Sequence, residues 1–206
     1  MSTKTGMRGL VTAGVALAAM LAPGCGDVVR NSRSPAYLII EDLSAEAGGA
    51  EEEATNELSS DVLTNGGVFE DVGLVTFRLA LKNIGQPGSA VSPTDANIIT
   101  VRRHRVSFRR TDGRNTPGVD VPWPFEGAGT VSVTDEAQLS FVLVRAQAKL
   151  EAPLGQLADP SFTGLGGAGM ISTIADVTFY GEDQVGNDVS VTGSISVNFS
   201  DWADPD

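Results

Sequence analysis

Six arginines, Arg102, Arg103, Arg105, Arg109, Arg110 and Arg114, fall within thirteen positions around the only histidine of the chain, His104. On a strand, successive side chains point to opposite faces. Arg103, Arg105 and Arg109 then share one face, while Arg102 and Arg110 share the other with Val106 and Phe108. A row of guanidinium forks suits an anionic partner: a carboxylate, a phosphate, an acidic polysaccharide or an acidic protein surface. The competing expectation is cross-strand pairing with the chain's own carboxylates, which also guards an edge strand against unwanted pairing. Asp and Glu number 26 against 14 Lys and Arg, so acid is in surplus and internal pairing is the stronger expectation.

Other residues test for chemistry and supply little. As a general base His104 needs an orienting carboxylate and an adjacent nucleophile, and no Gly-x-Ser-x-Gly elbow is present. It reads as a strand residue beside a basic face. The stretch from Asp112 to Phe125 is the longest distinctive loop, with Trp123 held between Pro122 and Pro124 and Phe125 directly after Pro124. Restricted backbone lowers the entropy lost on docking, which suits an aromatic platform for sugar or peptide. Capping one end of the fold is the alternative, favoured because exposed Trp is disfavoured, and Trp202 poses the same choice.

Calcium is a weak expectation for two acidic turns, one holding Asp183, Asn187 and Asp188 with Glu182, the other Asp112, Asn115 and Asp120. Calcium takes six to eight oxygens, neither group has a recognised spacing, and Asp and Asn are already explained by turn chemistry. Neighbouring carboxylates such as Glu41-Asp42 and Asp135-Glu136 diverge on a strand and form no acid/base dyad. Gly164 to Gly169 lacks the lysine and the helix of a phosphate loop. With one Cys and one His, no disulfide framework or Cys/His metal site is expected either. No enzyme signature remains, and no cofactor is expected.

The N-terminus carries a different signal. Lys4 and Arg8 precede an apolar run, Leu10 to Ala22, followed by Pro23-Gly24-Cys25-Gly26-Asp27. A basic start, a short apolar core and a small residue at the junction make a secretory signal peptide. The run has 13 residues, whereas a helix needs about 20 to cross a bilayer. Leu21-Ala22-Pro23-Gly24-Cys25 resembles the lipobox of bacterial lipoproteins. That resemblance implies a signal peptide over 1–24, a lipid-modified Cys25 and a tether over 25–35. More than one acyl chain would make the anchoring stable. Loss of Lys4 and Arg8 would take the formal charge from −12 to −14, which opposes binding to nucleic acid.

Elements that must position these residues follow from period-two patterns. Strands are expected over Tyr37 to Leu43, Val72 to Asn83, Ile98 to Arg110, Thr130 to Val133 and Gln138 to Leu150, the last central because both its faces are apolar. A solvated acidic loop spans Ala45 to Glu57, and a small helical turn Pro153 to Ala158. Ile171 to Tyr180 and Val189 to Phe199 alternate on either side of a turn over Gly181 to Asn187, which reads as a β-hairpin. Seven or eight short strands with many turns point to an all-β, antiparallel β-sandwich over residues 36–206. The run Phe179-Tyr180-Gly181-Glu182-Asp183-Gln184-Val185-Gly186-Asn187 is similar to the closing hairpin of bacterial Ig-like domains, which implies an Ig-like sandwich. The combined expectation is an exported, lipid-anchored envelope module that binds or scaffolds without catalysis and contacts a protein or a glycan. Its candidate contact residues are Arg103, Arg105, Arg109, Trp123 and Phe125. The alternative is carbohydrate or surface adhesion, calcium-assisted through Asp183, Asn187 and Asp188.

Overall fold

The computed structural model describes residues 33–49, 53–83, 85–86, 89–158 and 169–202. Cys25, the expected signal peptide over 1–24 and most of the expected tether over 25–35 lie outside these residues.

Among the described residues ten strands run in chain order: β1 (Ala36–Glu46), β2 (Glu57–Asp61), β3 (Asp71–Leu81), β4 (Gly85–Gln86), β5 (Ser89–Ala90), β6 (Ile99–Arg109), β7 (Phe125–Val133), β8 (Glu136–Val144), β9 (Met170–Asp183) and β10 (Asp188–Ser200). One five-residue helix, α1 (Ala146–Leu150), follows β8. The strands form a three-stranded antiparallel sheet, β1-β3-β8, and a curled five-stranded sheet, β2-β10-β9-β6-β7, with β4 and β5 as a separate hairpin. The fold is all-β.

Alternation explains the core. Val75, Phe77 and Leu79 of β3 are buried, as are Ile171, Thr173, Ala175, Val177 and Phe179 of β9 and Ile195, Val197 and Phe199 of β10. The two sheets meet through aromatic edges: Phe179 stands nearly perpendicular to Phe77 at 4.9 Å and to Phe141 at 5.1 Å between ring centres. Such edge-to-face contacts add to simple burial.

Several boundaries differ from the pattern-based expectation. The β2–β10 pair is parallel, so the five-stranded sheet is mixed rather than purely antiparallel. The loop after β1 crosses between sheets, and no local hairpin then fixes the direction in which β2 meets β10. The acidic stretch is shorter than Ala45 to Glu57. Ala45 is buried and exchanges two backbone hydrogen bonds with Thr55, at 2.8 and 2.9 Å. The expected strand to Leu150 stops at Val144, because Ala146-Gln147-Ala148-Lys149-Leu150 consists of good helix formers. Moreover, β8 is an edge strand, not a central one. Its second apolar face arises from a register shift opposite Asp71 and Val72, which leaves Phe141, Leu143 and Val144 all buried. Finally, β9 continues through Asp183, so the closing turn shrinks to residues 184–187.

Strand register assigns loops to two ends. Ile99 pairs with Val133 and Asp183 at one end of β6, and Arg109 pairs with Ile174 near the other. The chain enters at the first end: Lys82 donates its amide to the Pro35 carbonyl at 2.9 Å, and the Ser34 hydroxyl bonds Asp183. The loop from Arg110 to Pro124, α1 and the end of β10 lie at the opposite end. Eleven residues of strand separate the two by roughly 35 Å.

Candidate functional site

Arg103, Arg105 and Arg109 do share the outer face of β6, each about half exposed. Arg102 departs from parity. A bulge between Val101 and Arg103 turns it outward, away from buried Val106 and Phe108. Bulges re-aim side chains in this way. All six arginines meet carboxylates. Arg102 pairs with Glu182 at 3.2 Å, and Arg103 and Arg105 share Glu126 at 3.2 and 3.5 Å. Arg109 meets Asp176 at 2.7 Å, while Arg110 and Arg114 hold Asp112 at 2.7 and 2.9 Å. The carboxyl of Asp112 is consequently held well below its ordinary range by hydrogen bonds from Arg110 and Arg114. Burial raises Asp176, but hydrogen bonds from Arg109 and Ser194 outweigh it and the group is lowered.

The bulge also shapes a groove of about 390 Å³ lined by Arg102, Arg103, Tyr180, Glu182, Asp188 and Ser190. The Arg103 guanidinium lies over the Tyr180 ring at 3.9 Å, a cation–π contact that fixes its direction. Gly181 forms the floor. A Cβ there would stand 2.6 Å from the Thr100 carbonyl oxygen, so the close approach of β9 to the bulge requires glycine.

His104 is not beside the basic face but beneath it. It is 2% exposed, with Phe141 at 5.0 Å, Phe179 at 6.2 Å and Phe125 at 6.3 Å between ring centres. Burial lowers its pKa, and the nearby Val142 backbone offsets this only in part. Neither ring nitrogen has a partner in hydrogen-bond geometry. The neutral imidazole is a core residue here.

Phe125 opens β7 instead of closing the preceding loop. It is half-buried between His104 and the Arg145 guanidinium, which lies 4.7 Å from its ring centre. Trp123 is different. The capping expectation, under which the loop hides its indole, fails here: Val121 and Pro122 are buried, but Trp123 is 53% exposed and Val119 61%. The loop is built to hold them. Gly118 adopts φ 75° with the indole ring against it, its amide donates to the Val121 carbonyl at 2.8 Å, and Asp120 accepts from the Thr116 amide at 3.0 Å.

In the closing turn, Asp183 accepts from the amides of Val185 and Asn187 and from the Asn187 side chain, at 3.0, 2.8 and 2.7 Å. Burial raises its pKa, but these bonds lower it overall. These bonds close the turn. Among the described residues no three His, Cys, Asp or Glu side chains converge as a metal site, and no helix is long and apolar enough to cross a membrane.

One constellation escaped the sequence reading. Asp71 and Lys149 form an ion pair at 2.7 Å with both side chains fully buried. Ser60 donates its hydroxyl to the other Asp71 oxygen at 2.6 Å, and the Gly48 amide donates at 2.9 Å. Burial pushes the Asp71 carboxyl up, opposed by Lys149, Gly48 and Ser60. Asp71 and Lys149 lie 78 positions apart, Gly48 and Ser60 are further still from Lys149, and only the helix at Ala146–Leu150, read as strand, turns Lys149 inward. No spacing rule could have found them.

No known protein family and no curated protein matches the chain. Among solved structures it is similar to a Northeast Structural Genomics Consortium target, at 9% identity and a TM-score of 0.28, over 81% of this chain and 86% of that one. It is also similar to Spo0M, a sporulation control protein from Bacillus subtilis, at 16% identity and a TM-score of 0.26, over 79% of this chain and 49% of that one. At these scores neither likeness carries an argument about fold or function.

Proposed function

We propose that this chain is a lipid-anchored binding or scaffolding module of the bacterial cell envelope, without catalysis. Residues 36–206 form one Ig-like β-sandwich in this reading, held at an exported membrane face through Cys25. Its partner is a protein or glycan of the envelope rather than nucleic acid, which the acidic charge would repel.

The observation that supports this reading is the polarity of the two ends. The chain enters at Ser34–Ala36, beside the turn at 184–187. Among the described residues, Phe69, Val119, Trp123, Leu150, Met170 and Trp202 are six of the nine exposed large apolar side chains, and all six belong to the opposite end. A domain tethered by one end and apolar at the other presents its contact surface away from the membrane. Exposed apolar side chains gathered in one region mark interaction sites. Arg103, Arg105 and Arg109, each with a carboxylate partner, are a secondary contact face.

A photo-crosslinking residue at Val119 in native envelopes is expected to capture a specific protein or glycan, while one at Val185, at the tethered end, is not. Equal capture from both positions, or none from Val119, would overturn the proposal. The adhesion alternative gains from Trp123 alone, an indole face exposed between Pro122 and Pro124. On that reading Trp123→Ala lowers retention on envelope glycans by about tenfold, equivalent to about 1.4 kcal/mol, and retention unchanged by the substitution returns the assignment to a protein partner.

A further inference from the structure

The knot around Asp71 joins an amine, a carboxyl carbon and two hydrogen-bond donors in a place closed to solvent. We propose that Lys149 and Asp71 condense into an intramolecular amide, a covalent cross-link between α1 and the start of β3. Lys149 Nζ lies 2.7 Å from Asp71 Oδ1 and both side chains are fully buried. Ser60, also fully buried, donates to Oδ2 at 2.6 Å.

The chemistry closes without any co-reactant. A proton passes from the Nζ ammonium to Oδ1, which leaves a neutral amine facing a carboxylic acid. The nitrogen lone pair attacks Cγ. Negative charge develops on Oδ2, where the Ser60 hydroxyl is already aimed, and a donor fixed in a water-excluded site stabilises such charge. A second proton leaves nitrogen, and Oδ1 departs as water. One C–N bond forms, one C–O bond breaks, and nothing is oxidised or reduced. The Gly48 amide, donating to Oδ1 at 2.9 Å, assists that oxygen's departure.

Two physical arguments favour the amide. Burying two opposite charges carries a desolvation cost that their attraction only partly recovers, and the amide removes both charges. Fixed reacting groups also behave as if at effective concentrations of about 10⁵–10⁸ M. The raised carboxyl of Asp71 makes the neutral acid accessible.

The test is peptide mapping of the denatured, full-length wild-type protein after trypsin. Arginines 33 and 78 bound the peptide holding Asp71, and cleavage after Arg145 frees the one holding Lys149. Trypsin does not cut after an acylated lysine. Peptide 34–78 is therefore expected joined to the peptide that runs from Ala146 through an uncut Lys149, lighter than the two together by one water, about 18 Da. In Asp71→Asn the same pair is expected joined with loss of ammonia, about 17 Da. That separates the link from a dehydrated Asp112-Gly113, which leaves the peptides separate. Free 34–78 together with free 146–149 from folded wild-type protein overturns the proposal, whether or not the variant folds.

Discussion

His104 shows how a residue can look chemical in sequence and be structural in the fold. Its neighbours Arg103 and Arg105 suggested an exposed basic strip, yet parity places the ring inward among three phenylalanines. Burial lowers its pKa below the ordinary 6.5. The unfolded chain then takes up a proton near pH 6.5 and the folded chain only at lower pH. Stability from this group is complete above pH 6.5 and declines as pH falls toward the folded value. The melting temperature is expected to be lower at pH 5 than at pH 7.5, and His104→Leu to flatten part of that decline. An identical pH slope in wild type and variant would remove His104 from the account. The ion pairs of Arg103, Arg105 and Arg109 are half exposed, and solvent and salt screen such pairs so that they add little to stability. They orient the outer face more than they hold the fold.

Among the elements, β3, β9 and β10 were legible because residues that are mostly Val, Phe, Leu and Ile recur at every second position along them. The first half of β7 was not, since Glu126-Gly127-Ala128-Gly129 has little β preference and forms a strand only by pairing with β6. The bulge at Val101–Arg103 was equally hidden, because it depends on how closely β9 approaches. Gly181→Ala places a Cβ 2.6 Å from the Thr100 carbonyl oxygen, so the strands must separate there. A loss of about 1–3 kcal/mol in unfolding free energy is expected, in line with overpacked sites, measured by denaturant titration. A neutral outcome would mean that the bulge relaxes freely and does not fix Arg102.

For the whole molecule, what matters is which loops share an end. Register places residues 34–36 with the turn at 184–187, and Val119 and Trp123 roughly 35 Å away. Cys25→Ser tests the tether directly: the variant is expected to leave the membrane fraction and appear soluble outside the cytoplasm. Fractionation identical to wild type would detach the proposal from its anchor while leaving the apolar end to be explained. If the Lys149–Asp71 amide forms, the cross-link sits at that same far end and would stiffen the platform that carries the exposed side chains.

Composition, charge sign, the all-β class and the strong period-two strands all follow from the linear sequence, because they depend on neighbours a few residues apart. Which carboxylate each of the six clustered arginines meets, the depth of His104, the parallel β2 and the knot of Asp71, Lys149, Ser60 and Gly48 do not. Each depends on contacts between residues separated by tens of positions, and a one-residue bulge or a five-residue helix reverses which way a side chain faces. Local patterns determine what a segment prefers, while burial in three dimensions decides which of its atoms meet.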